Sequence, residues 1–220
     1  SAGTSTNPWK SFAFAFSQLD SGDKLIMKDG TYKGGSPARL NGKSNITIEP
    51  DTNATPIWDL QWGYSVSGDT AAVYVTGKTG ITLDGLTIIN CRGRGIRFEY
   101  FNDSGATCTI KNCTLNNIGR QGITLINSDS TTEKYITNCK TINCIQLYNS
   151  NNVNSGAALQ VKRSHNVTVT KCVNTGSGYD GLIFTIVTDC TFEQCISYDN
   201  RFNAYLEQAD GCVVNRCAFF

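Results

Sequence analysis

A short apolar motif that returns at regular intervals limits what this chain can fold into. A small residue followed by alternating apolar residues occurs six times, and successive copies lie 23, 27, 36, 23 and 23 residues apart. The copies begin at Ala72, Gly95, Gly122, Ala158, Gly181 and Ala204. A unit of this length cannot bury an apolar face by itself, so the copies must stack as the coils of a solenoid. In the last copy this alignment places Leu206 outward and Glu207 at an inward position.

A second set of positions follows the same period. A cysteine or apolar residue stands nine positions before four of the small residues, and a short alternating strand precedes each. These positions are Leu86, Cys113, Cys172 and Cys195, with Cys144 in the equivalent place after an insertion. Short strands separated by Asn and Gly predict an all-β, right-handed parallel β-helix. The alternative is a β-sandwich, which would show hairpin turns about every 8–12 residues.

The N-terminal residues predict a cap for the first coil. Asn7 followed by Pro8 has the pattern of an N-cap and a first-turn proline, and an apolar stripe follows within residues 7–20. The stripe comprises Phe12, Phe16 and Leu19. We expect a short helix that covers the open end of the solenoid, within a cap of residues 1–22. Phe14 lies off the stripe, which predicts burial on a second side of the helix.

The whole chain, residues 1–220, is predicted to form a single β-helix domain. Its last residues, 217–220, follow directly after a turn position and include two phenylalanines. We therefore expect a partner chain or a further segment to cover this end of the solenoid.

Charge and hydrophobicity argue against two classes of partner. The 19 Lys and Arg residues balance 18 Asp and Glu residues, and no long basic tract is present, which argues against nucleic acid. No apolar run approaches the roughly 18 residues needed to span a membrane. Ten cysteines and five glycosylation sequons favour secretion. The sequons begin at Asn45, Asn53, Asn102, Asn112 and Asn166.

The cysteines are predicted to stack in two rows rather than to bind zinc. Cys108 and Cys113 are five residues apart and His165 is the only histidine, so the spacing of a zinc site is missing. Cys108, Cys139, Cys190 and Cys212 are assigned to inward strand positions, and Cys113, Cys144, Cys172, Cys195 and Cys217 to turn positions. Stacked residues lie about 4.8 Å apart, within the Cα range of a disulfide. Two alternatives therefore stay open: buried free thiols, or disulfides such as Cys113–Cys144 and Cys195–Cys217.

Several segments resemble pectate-lyase-like β-helix proteins. The chain opens with a capping helix, then Gly22-Asp23, an apolar strand and Gly30-Thr31-Tyr32, and residues 45–48 and the later Asn-Cys coils continue the likeness. The similarity covers essentially the whole chain and is greatest with polysaccharide lyases of the alginate/chondroitin-B and family-9 pectate lyase types. It implies the fold strongly and the chemistry only poorly.

Two segments are similar to functional segments of those lyases. Residues 161–167 resemble the Val-Lys-Ser-Ser-x-Asn segment of alginate lyases, which implies that Lys162 is the catalytic base, with Thr185 near the place of its partner arginine. Residues 179–181 resemble part of the calcium-holding segment of family-9 pectate lyases. The resemblance thus makes Ca²⁺ the candidate cofactor, and Asp180 and Asp199 are the candidate metal ligands.

The outward strand positions and the adjoining turns define the surface on which an acidic polysaccharide would bind. Alternation places Arg97, Glu99, Gln160 and Lys162 outward. The candidate substrate-binding residues are Arg94, Arg120, Tyr179, Arg201 and Tyr205. Stacking of the coils is expected to align three of them, Arg94, Arg120 and Arg201, along one rim. A row of guanidinium groups suits the carboxylates or sulfates of an acidic glycan, because arginine binds such groups bidentately.

Two functions are compatible with these residues. The first is a secreted polysaccharide lyase that uses β-elimination, which needs a base and neutralisation of the sugar carboxylate. In this hypothesis Lys162 is the base, and Arg163 or Arg97 lowers its pKa by like-charge repulsion. The second is a non-catalytic structural, adhesive or assembly module.

Overall fold

The chain forms a parallel β-solenoid. The computed structural model describes residues 3–4, 6–63, 65, 67, 70–77, 80–101, 107–128, 131, 133–145 and 156–220. Successive coils contribute one strand to each of three parallel sheets, which hold eight, eight and seven strands. One short helix, α1 (Phe12–Gln18), precedes the first coil. The predicted all-β parallel β-helix with a short N-terminal helix is confirmed.

The three sheets are named A, B and C in the order in which each coil visits them. Sheet A contains β1 (Lys24–Met27), β4 (Thr47–Pro50), β7 (Thr82–Asp84), β10 (Cys108–Lys111), β13 (Lys134–Thr137), β16 (Val167–Thr170), β19 (Thr191–Glu193) and β22 (Val213–Asn215). Sheet B contains β2 (Gly30–Lys33), β5 (Pro56–Asp59), β8 (Thr87–Cys91), β11 (Thr114–Ile118), β14 (Lys140–Cys144), β17 (Val173–Thr175), β20 (Ile196–Tyr198) and β23 (Ala218–Phe219). Sheet C contains β3 (Ala38–Asn41), β6 (Ala71–Thr76), β9 (Arg94–Phe101), β12 (Ile123–Ser128), β15 (Ala157–His165), β18 (Asp180–Thr188) and β21 (Phe202–Asp210).

The hydrogen-bonded register supports the repeat at every step except the last. One interior row of sheet C comprises Val73, Ile96, Ile123, Leu159, Leu182 and Ala204. Ala204 therefore lies opposite Leu182 and not opposite Gly181, so the last period is one residue shorter than predicted. Leu206 consequently continues the interior row of Phe184, and Glu207 lies outward next to Thr185. The predicted orientations of Leu206 and Glu207 were wrong because a small residue alone does not fix the register.

Asparagine marks the corners of the solenoid because it tolerates the left-handed conformation that the corners require. At the corner between sheets A and B, the side-chain amide of Asn138 donates to Asn112, which donates to Asp84, at 2.8 and 2.7 Å. The sequon residues Asn45, Asn53, Asn112 and Asn166 all have φ between 51° and 60°. These sequons thus have a structural reason that is independent of glycosylation, whereas Asn102 lies outside the described residues.

The N-terminal helix is shorter than predicted. Its N-cap is Ser11, whose side chain accepts a hydrogen bond from the backbone of Phe14, so the predicted start at Asn7 and Pro8 was wrong. The predicted stripe is buried: its members are Phe12, Phe16 and Leu19. The Phe12 ring lies 4.9 Å from the ring of Trp58 in β5, which joins the helix to the core. Phe14 is 45% exposed, so its predicted burial was also wrong.

The cysteines form rows, but two of them were assigned to the wrong row. The corner row between sheets A and B comprises Cys113, Cys139, Cys172, Cys195 and Cys217. Cys139 belongs to it because it follows the left-handed corner residue Asn138. Cys144 instead lies in sheet B, where Ile118 separates it from Cys91. Each corner thiol donates to the carbonyl two residues earlier, as from Cys113 to Lys111 at 3.3 Å.

All ten cysteines are free thiols in the structure. In-register neighbours in a parallel sheet hold their Cβ atoms about 4.8 Å apart, farther than the roughly 3.8 Å of a disulfide. Cys113 and Cys144 are not neighbours at all, so the proposed bridge between them was wrong. Burial raises the pKa of Cys91 to about 12 and that of Cys190 to about 11, which lowers their reactivity further.

We expect only two cysteines of the folded protein to react rapidly with iodoacetamide. Cys212 and Cys217 are partly exposed, whereas the other eight are buried. Without reductant, unfolding in guanidinium chloride should expose all ten thiols, as counted by mass spectrometry. A mass that shows fewer than ten alkylated thiols would reveal disulfides and contradict this assignment.

One lysine occupies the solenoid interior. Lys134 lies between Cys108 and Val167 in an interior row of sheet A and is fully buried. Its ammonium group donates to the carbonyl of His165 at 3.2 Å. Burial of an ammonium group is costly unless it is paired or hydrogen-bonded, and this contact offsets part of that cost.

The last coil is more exposed than those before it. Its large apolar side chains with more than a third of their surface exposed are Phe202, Tyr205, Leu206, Val213, Val214, Phe219 and Phe220. That a partner chain or further segment covers them stays a prediction. Among the described residues, no helix has the length and hydrophobicity of a membrane span.

Candidate functional site

Two rows of outward residues run along sheet C, parallel to the solenoid axis. The first outward row comprises Arg39, Tyr74, Arg97, Thr124, Gln160, Ile183 and Tyr205. The second outward row comprises Asn41, Thr76, Glu99, Ile126, Lys162, Thr185 and Glu207. Sheet C has the longest strands of the molecule, and β15, β18 and β21 each span nine residues. The middle of the first outward row is buried at Thr124, Gln160 and Ile183, whereas Arg39 and Tyr205 near its two ends are exposed.

A cleft of about 300 Å³ lies at the N-terminal end of the first outward row. It is lined by Arg39, Thr70, Ala71, Tyr74 and Arg97. The guanidinium carbons of Arg39 and Arg97 lie 5.2 and 5.8 Å from the centre of the Tyr74 ring. Both distances are within the range of cation–π attraction. We call this feature the Tyr74 cleft.

Glu99, in the second outward row, holds two residues of the Tyr74 cleft in place. Its Oε2 atom accepts a hydrogen bond from the Tyr74 hydroxyl at 3.0 Å and forms an ion pair with Nη2 of Arg97 at 2.7 Å. The Glu99 side chain is only 5% exposed, so both contacts are shielded from water. Burial, and then the hydrogen bond to Glu99, raise the pKa of the Tyr74 phenol.

Two neighbouring polar atoms of the first outward row are buried without a hydrogen-bond partner in the described structure. They are Nε of Arg97 and Oγ1 of Thr124. Arg97 and Thr124 are directly paired between β9 and β12, so their Cα atoms lie about 4.8 Å apart. Buried polar side-chain atoms without a hydrogen-bond partner are uncommon in folded proteins.

Lys162 lies in the middle of the second outward row, between Ile126 and Thr185. Its side chain is half-buried, and its ammonium group forms no hydrogen bond or ion pair with the described residues. Arg97 is two strands away and two residues offset, which places the two Cα atoms roughly 12 Å apart. Arg97 is instead paired with Glu99. Arg163 occupies an exposed left-handed position with φ 47°, where the outward face ends.

Four of the predicted residues come together at the C-terminal end of the same face. Arg201 lies 5.0 Å from the centre of the Tyr179 ring, and that ring contacts the edge of Phe202 at 5.8 Å. Asp180 pairs with Phe202 between β18 and β21 and is close enough to Arg201 and Tyr205 for their charges to interact. We call Tyr179, Asp180, Arg201, Phe202 and Tyr205 the C-terminal cluster.

Asp180 is the one acid of the C-terminal cluster and is 5% exposed. Burial raises its pKa from 3.8 to about 6, and the positive charge of Arg201 offsets part of this rise. Because the folded state holds the proton more tightly than the unfolded state, the ionised carboxylate destabilises the protein above pH 6. This loss of stability disappears as the pH falls from 6 to 4.

Replacing Asp180 by asparagine is expected to stabilise the protein at pH 8 but not at pH 4. The pKa difference corresponds to at most about 3 kcal/mol, and solvent near the rim reduces the expected gain to about 1–2 kcal/mol. The measurement is the free energy of unfolding of both proteins in urea at the two pH values. An equal change at pH 4 and pH 8 would mean that the charge of Asp180 carries no cost.

The predicted row of three arginines is not present. Arg94 is buried, and its Nε atom donates to Oε1 of Gln121 at 2.9 Å. Arg120 lies opposite Gly93, the residue before Arg94, and so is one position away from the row that contains Arg94. Arg201 lies opposite Tyr179. The alignment was wrong because the three arginines precede Gly95, Gly122 and Ala204 by one, two and three residues, and the strand register does not place all three in one row.

The predicted acidic residues do not form a calcium site. Asp199 is an exposed corner residue in the left-handed conformation with φ 53°, whereas Asp180 begins β18 opposite Phe202. The described part of the chain holds no group of three or more His, Cys, Asp or Glu side chains arranged around a metal. Calcium takes six to eight oxygen ligands. The cation beside Asp180 is Arg201, so the donor set does not fit Ca²⁺.

These observations define a parallel β-helix with arginine–aromatic clusters at the two ends of one sheet. The family model of the Pel9A-like right-handed β-helix region matches residues 1–213, and the chain belongs to that family. The resemblance to pectate-lyase-like β-helix proteins is thereby confirmed. No curated protein matches the sequence.

Solved structures with the same fold include three carbohydrate-active proteins. A rhamnogalacturonan lyase has a TM-score of 0.65 and 17% identity, with 100% of this chain and 60% of that chain covered. Pectate lyase Pel9A has a TM-score of 0.66 and 16% identity, with 91% and 51% covered. GH136 lacto-N-biosidase from Eubacterium ramulus has a TM-score of 0.62 and 12% identity, with 98% and 53% covered. At these identities the likeness shows the fold alone, and the chain spans 51–60% of the length of these proteins.

Proposed function

We propose that this protein is a secreted, carbohydrate-active β-helix that binds an acidic polysaccharide along the outward face of sheet C. One observation supports this most directly: arginine–aromatic clusters stand at both ends of a single face. The Tyr74 cleft lies at one end and the C-terminal cluster at the other. Guanidinium groups bind carboxylates bidentately, and aromatic faces stack on apolar ring surfaces.

The distance between the clusters suits a polymer. Tyr74 and Tyr205 belong to the same outward row and are separated by five strand steps, which is about 24 Å. Several linked sugars are needed to span this length, and a monosaccharide would reach only one cluster. The names of two structural neighbours, a rhamnogalacturonan lyase and a pectate lyase, support pectate or rhamnogalacturonan as the first candidate.

Cleavage by β-elimination is the catalytic part of the proposal. Lys162 lies between the two clusters, is outward and has an unpaired ammonium group among the described residues. In its neutral form it would remove the proton at C5 of a uronic acid while the bond from C4 to the glycosidic oxygen breaks, and the departing oxygen would take a proton from solvent water. Arg163 follows Lys162 in the chain and would neutralise the sugar carboxylate. No step is assigned to a metal.

A non-catalytic binding module is the second candidate, and a specific observation favours it. The position next to Lys162 in the following coil is Thr185, so no arginine is paired with Lys162 across the strands. In this case the same face would bind the polysaccharide without cleaving it.

The experiment that tests the proposal separates binding from cleavage. The protein is titrated calorimetrically with polygalacturonate, alginate and chondroitin sulfate, with neutral dextran as the control. Ultraviolet absorbance of the unsaturated product is followed with and without calcium. Binding to an acidic polymer but not to dextran supports the proposal. An increase in ultraviolet absorbance over time would show in addition that the polymer is cleaved by β-elimination. Lack of binding to every acidic polymer would overturn it.

A further inference from the structure

Two pairs of stacked thiols lie at the C-terminal end of the solenoid, in its last two coils. Cys190 and Cys212 stand directly before β19 and β22, and Cys195 and Cys217 stand directly before β20 and β23. Because β19 pairs with β22 and β20 pairs with β23, the two members of each pair are in register. We call Cys190 with Cys212, and Cys195 with Cys217, the terminal thiol pairs.

All four side chains of the terminal thiol pairs have the same orientation. Each cysteine follows a residue in the left-handed conformation, with φ between 52° and 59°. Each thiol donates to the carbonyl oxygen two residues earlier, at 3.2–3.4 Å. Because equivalent side chains make equivalent contacts, their sulfur atoms repeat with the spacing of the coils. The two Sγ atoms of a pair therefore lie about 4.8 Å apart.

This separation suits a metal ion bound midway between the two sulfur atoms. It is more than twice the roughly 2.05 Å bond of a disulfide. A thiolate lies about 2.3 Å from a bound Zn²⁺ ion, and two bonds of that length in a straight line span about 4.6 Å. Thiolates select the soft ion Cu(I), which accepts two ligands in a line.

Zinc itself does not fit the terminal thiol pairs. A structural zinc ion takes four tetrahedral ligands. Within the part of the chain that the structure describes, no three His, Cys, Asp or Glu side chains are arranged around a common point for a metal. Two sulfur atoms in register therefore favour an ion of coordination number two.

The surroundings of the thiols suit a cation of low charge. The atoms that the four thiols contact are backbone carbonyl oxygens, and Sγ of Cys212 also lies 3.9 Å from the carbonyl oxygen of Val187. Carbonyl oxygens stabilise a nearby cation and do not stabilise a free thiolate. One Cu(I) with two thiolates carries a charge of −1, and the buried ammonium group of Lys134 lies in the same interior row as Cys190.

The open end of the solenoid gives an ion access to both pairs. Cys212 and Cys217 are partly exposed, whereas Cys190 and Cys195 are buried directly behind them. An ion that reaches an exposed thiol thus has its second ligand in the adjacent coil. The deeper thiols of the corner row are buried and have no such access; they are Cys113, Cys139 and Cys172.

We propose that each terminal thiol pair binds one Cu(I) ion with linear, two-coordinate geometry. Both thiols of a pair lose their protons to water, and two S–H bonds are replaced by two Cu–S bonds without a change in oxidation state. The sites lie apart from the outward face of sheet C, so they are independent of the proposed polysaccharide binding.

The number of bound ions tests this proposal directly. Cu(I) is added as its acetonitrile complex to the reduced protein in oxygen-free buffer, bicinchoninate is added as a competing chelator, and native mass spectrometry counts the ions that remain. The wild type is expected to hold two Cu(I) ions, Cys212→Ser and Cys217→Ser one each, and the double variant none. Cys91→Ser is the matched control and should hold two, because Ile118 separates Cys91 from the next thiol of its row.

Alkylation gives a second measurement that needs no substitution. Bound Cu(I) is expected to protect Cys212 and Cys217 of the wild type from iodoacetamide, and the same concentration of Zn²⁺ is expected to leave both reactive. Loss of all Cu(I) to the chelator, an ion count that the two substitutions do not change, or alkylation that Cu(I) does not slow would each overturn the proposal.

Discussion

Replacing Lys162 by glutamine is expected to lower the rate of β-elimination by about 10²–10⁴-fold, the usual contribution of a positioned base. Glutamine keeps much of the length of the side chain but accepts no proton from C5. The change lies on the surface of sheet C and leaves the Tyr74 cleft and the C-terminal cluster intact, so binding of the polymer should change little. The measurement is the initial rate of product absorbance at saturating polysaccharide, with affinity determined separately by calorimetry.

Lys171→Gln is the matched control for this prediction. Lys171 is exposed at the corner between sheets A and B, and its substitution should leave the rate unchanged. A full rate in Lys162→Gln would exclude Lys162 as the base. A wild-type protein that binds the polymer but forms no unsaturated product would favour the non-catalytic module instead.

The sequence was sufficient to predict the fold because stacked coils repeat their chemistry. Each coil must place apolar residues at the same interior positions and must turn at the same corners, so the period is visible without a structure. The Asn-Cys dipeptides have the same origin. The corner residue adopts the left-handed conformation, as Asn112 does, and the next side chain, that of Cys113, turns into the interior and donates to a nearby carbonyl.

The Tyr74 cleft was only partly predictable. Arg97 was found because it alternates with Ile96 and Phe98, but its assigned role beside Lys162 depended on a distance that only the register provides. Arg39 and Tyr74 are 35 residues apart, which is longer than the basic period of 23, so the repeat did not connect them. The structure pairs them directly between β3 and β6. One sequence signal could have linked Arg39 to the cleft. Apolar Ala38 and Leu40 alternate with polar Arg39, which is the same pattern as in the later strands of sheet C.

The arginine row failed for a related physical reason. Strands are aligned by backbone hydrogen bonds, which fix the register to single residues. Arg94, Arg120 and Arg201 precede their motif residues by one, two and three positions, and a difference of one position is enough to move a side chain to another row. Lys134 shows the limit of the interior pattern as well, because one buried ammonium group is tolerated where a carbonyl accepts from it.

Phe184→Ala is expected to lower the free energy of unfolding by about 3–5 kcal/mol. The Phe184 side chain is fully buried in the interior row that includes Phe98 and Val161, and its ring stacks on that of Phe192. Truncation removes apolar contacts and leaves a cavity that strands fixed in two neighbouring coils cannot close. Each coil contacts only its neighbours. The lost packing energy therefore destabilises mainly the coil that carries the outward residues Ile183 and Thr185, and the two coils next to it.

The matched control is Phe14→Ala, since Phe14 is 45% exposed on the N-terminal helix. It should change stability by less than about 0.5 kcal/mol, as expected for a surface position. Urea unfolding followed by circular dichroism gives both values. Equal losses in the two variants would show that the aromatic stack inside the solenoid adds nothing to stability. A large loss confined to Phe184→Ala would link the packing of β18 to the outward face that it supports.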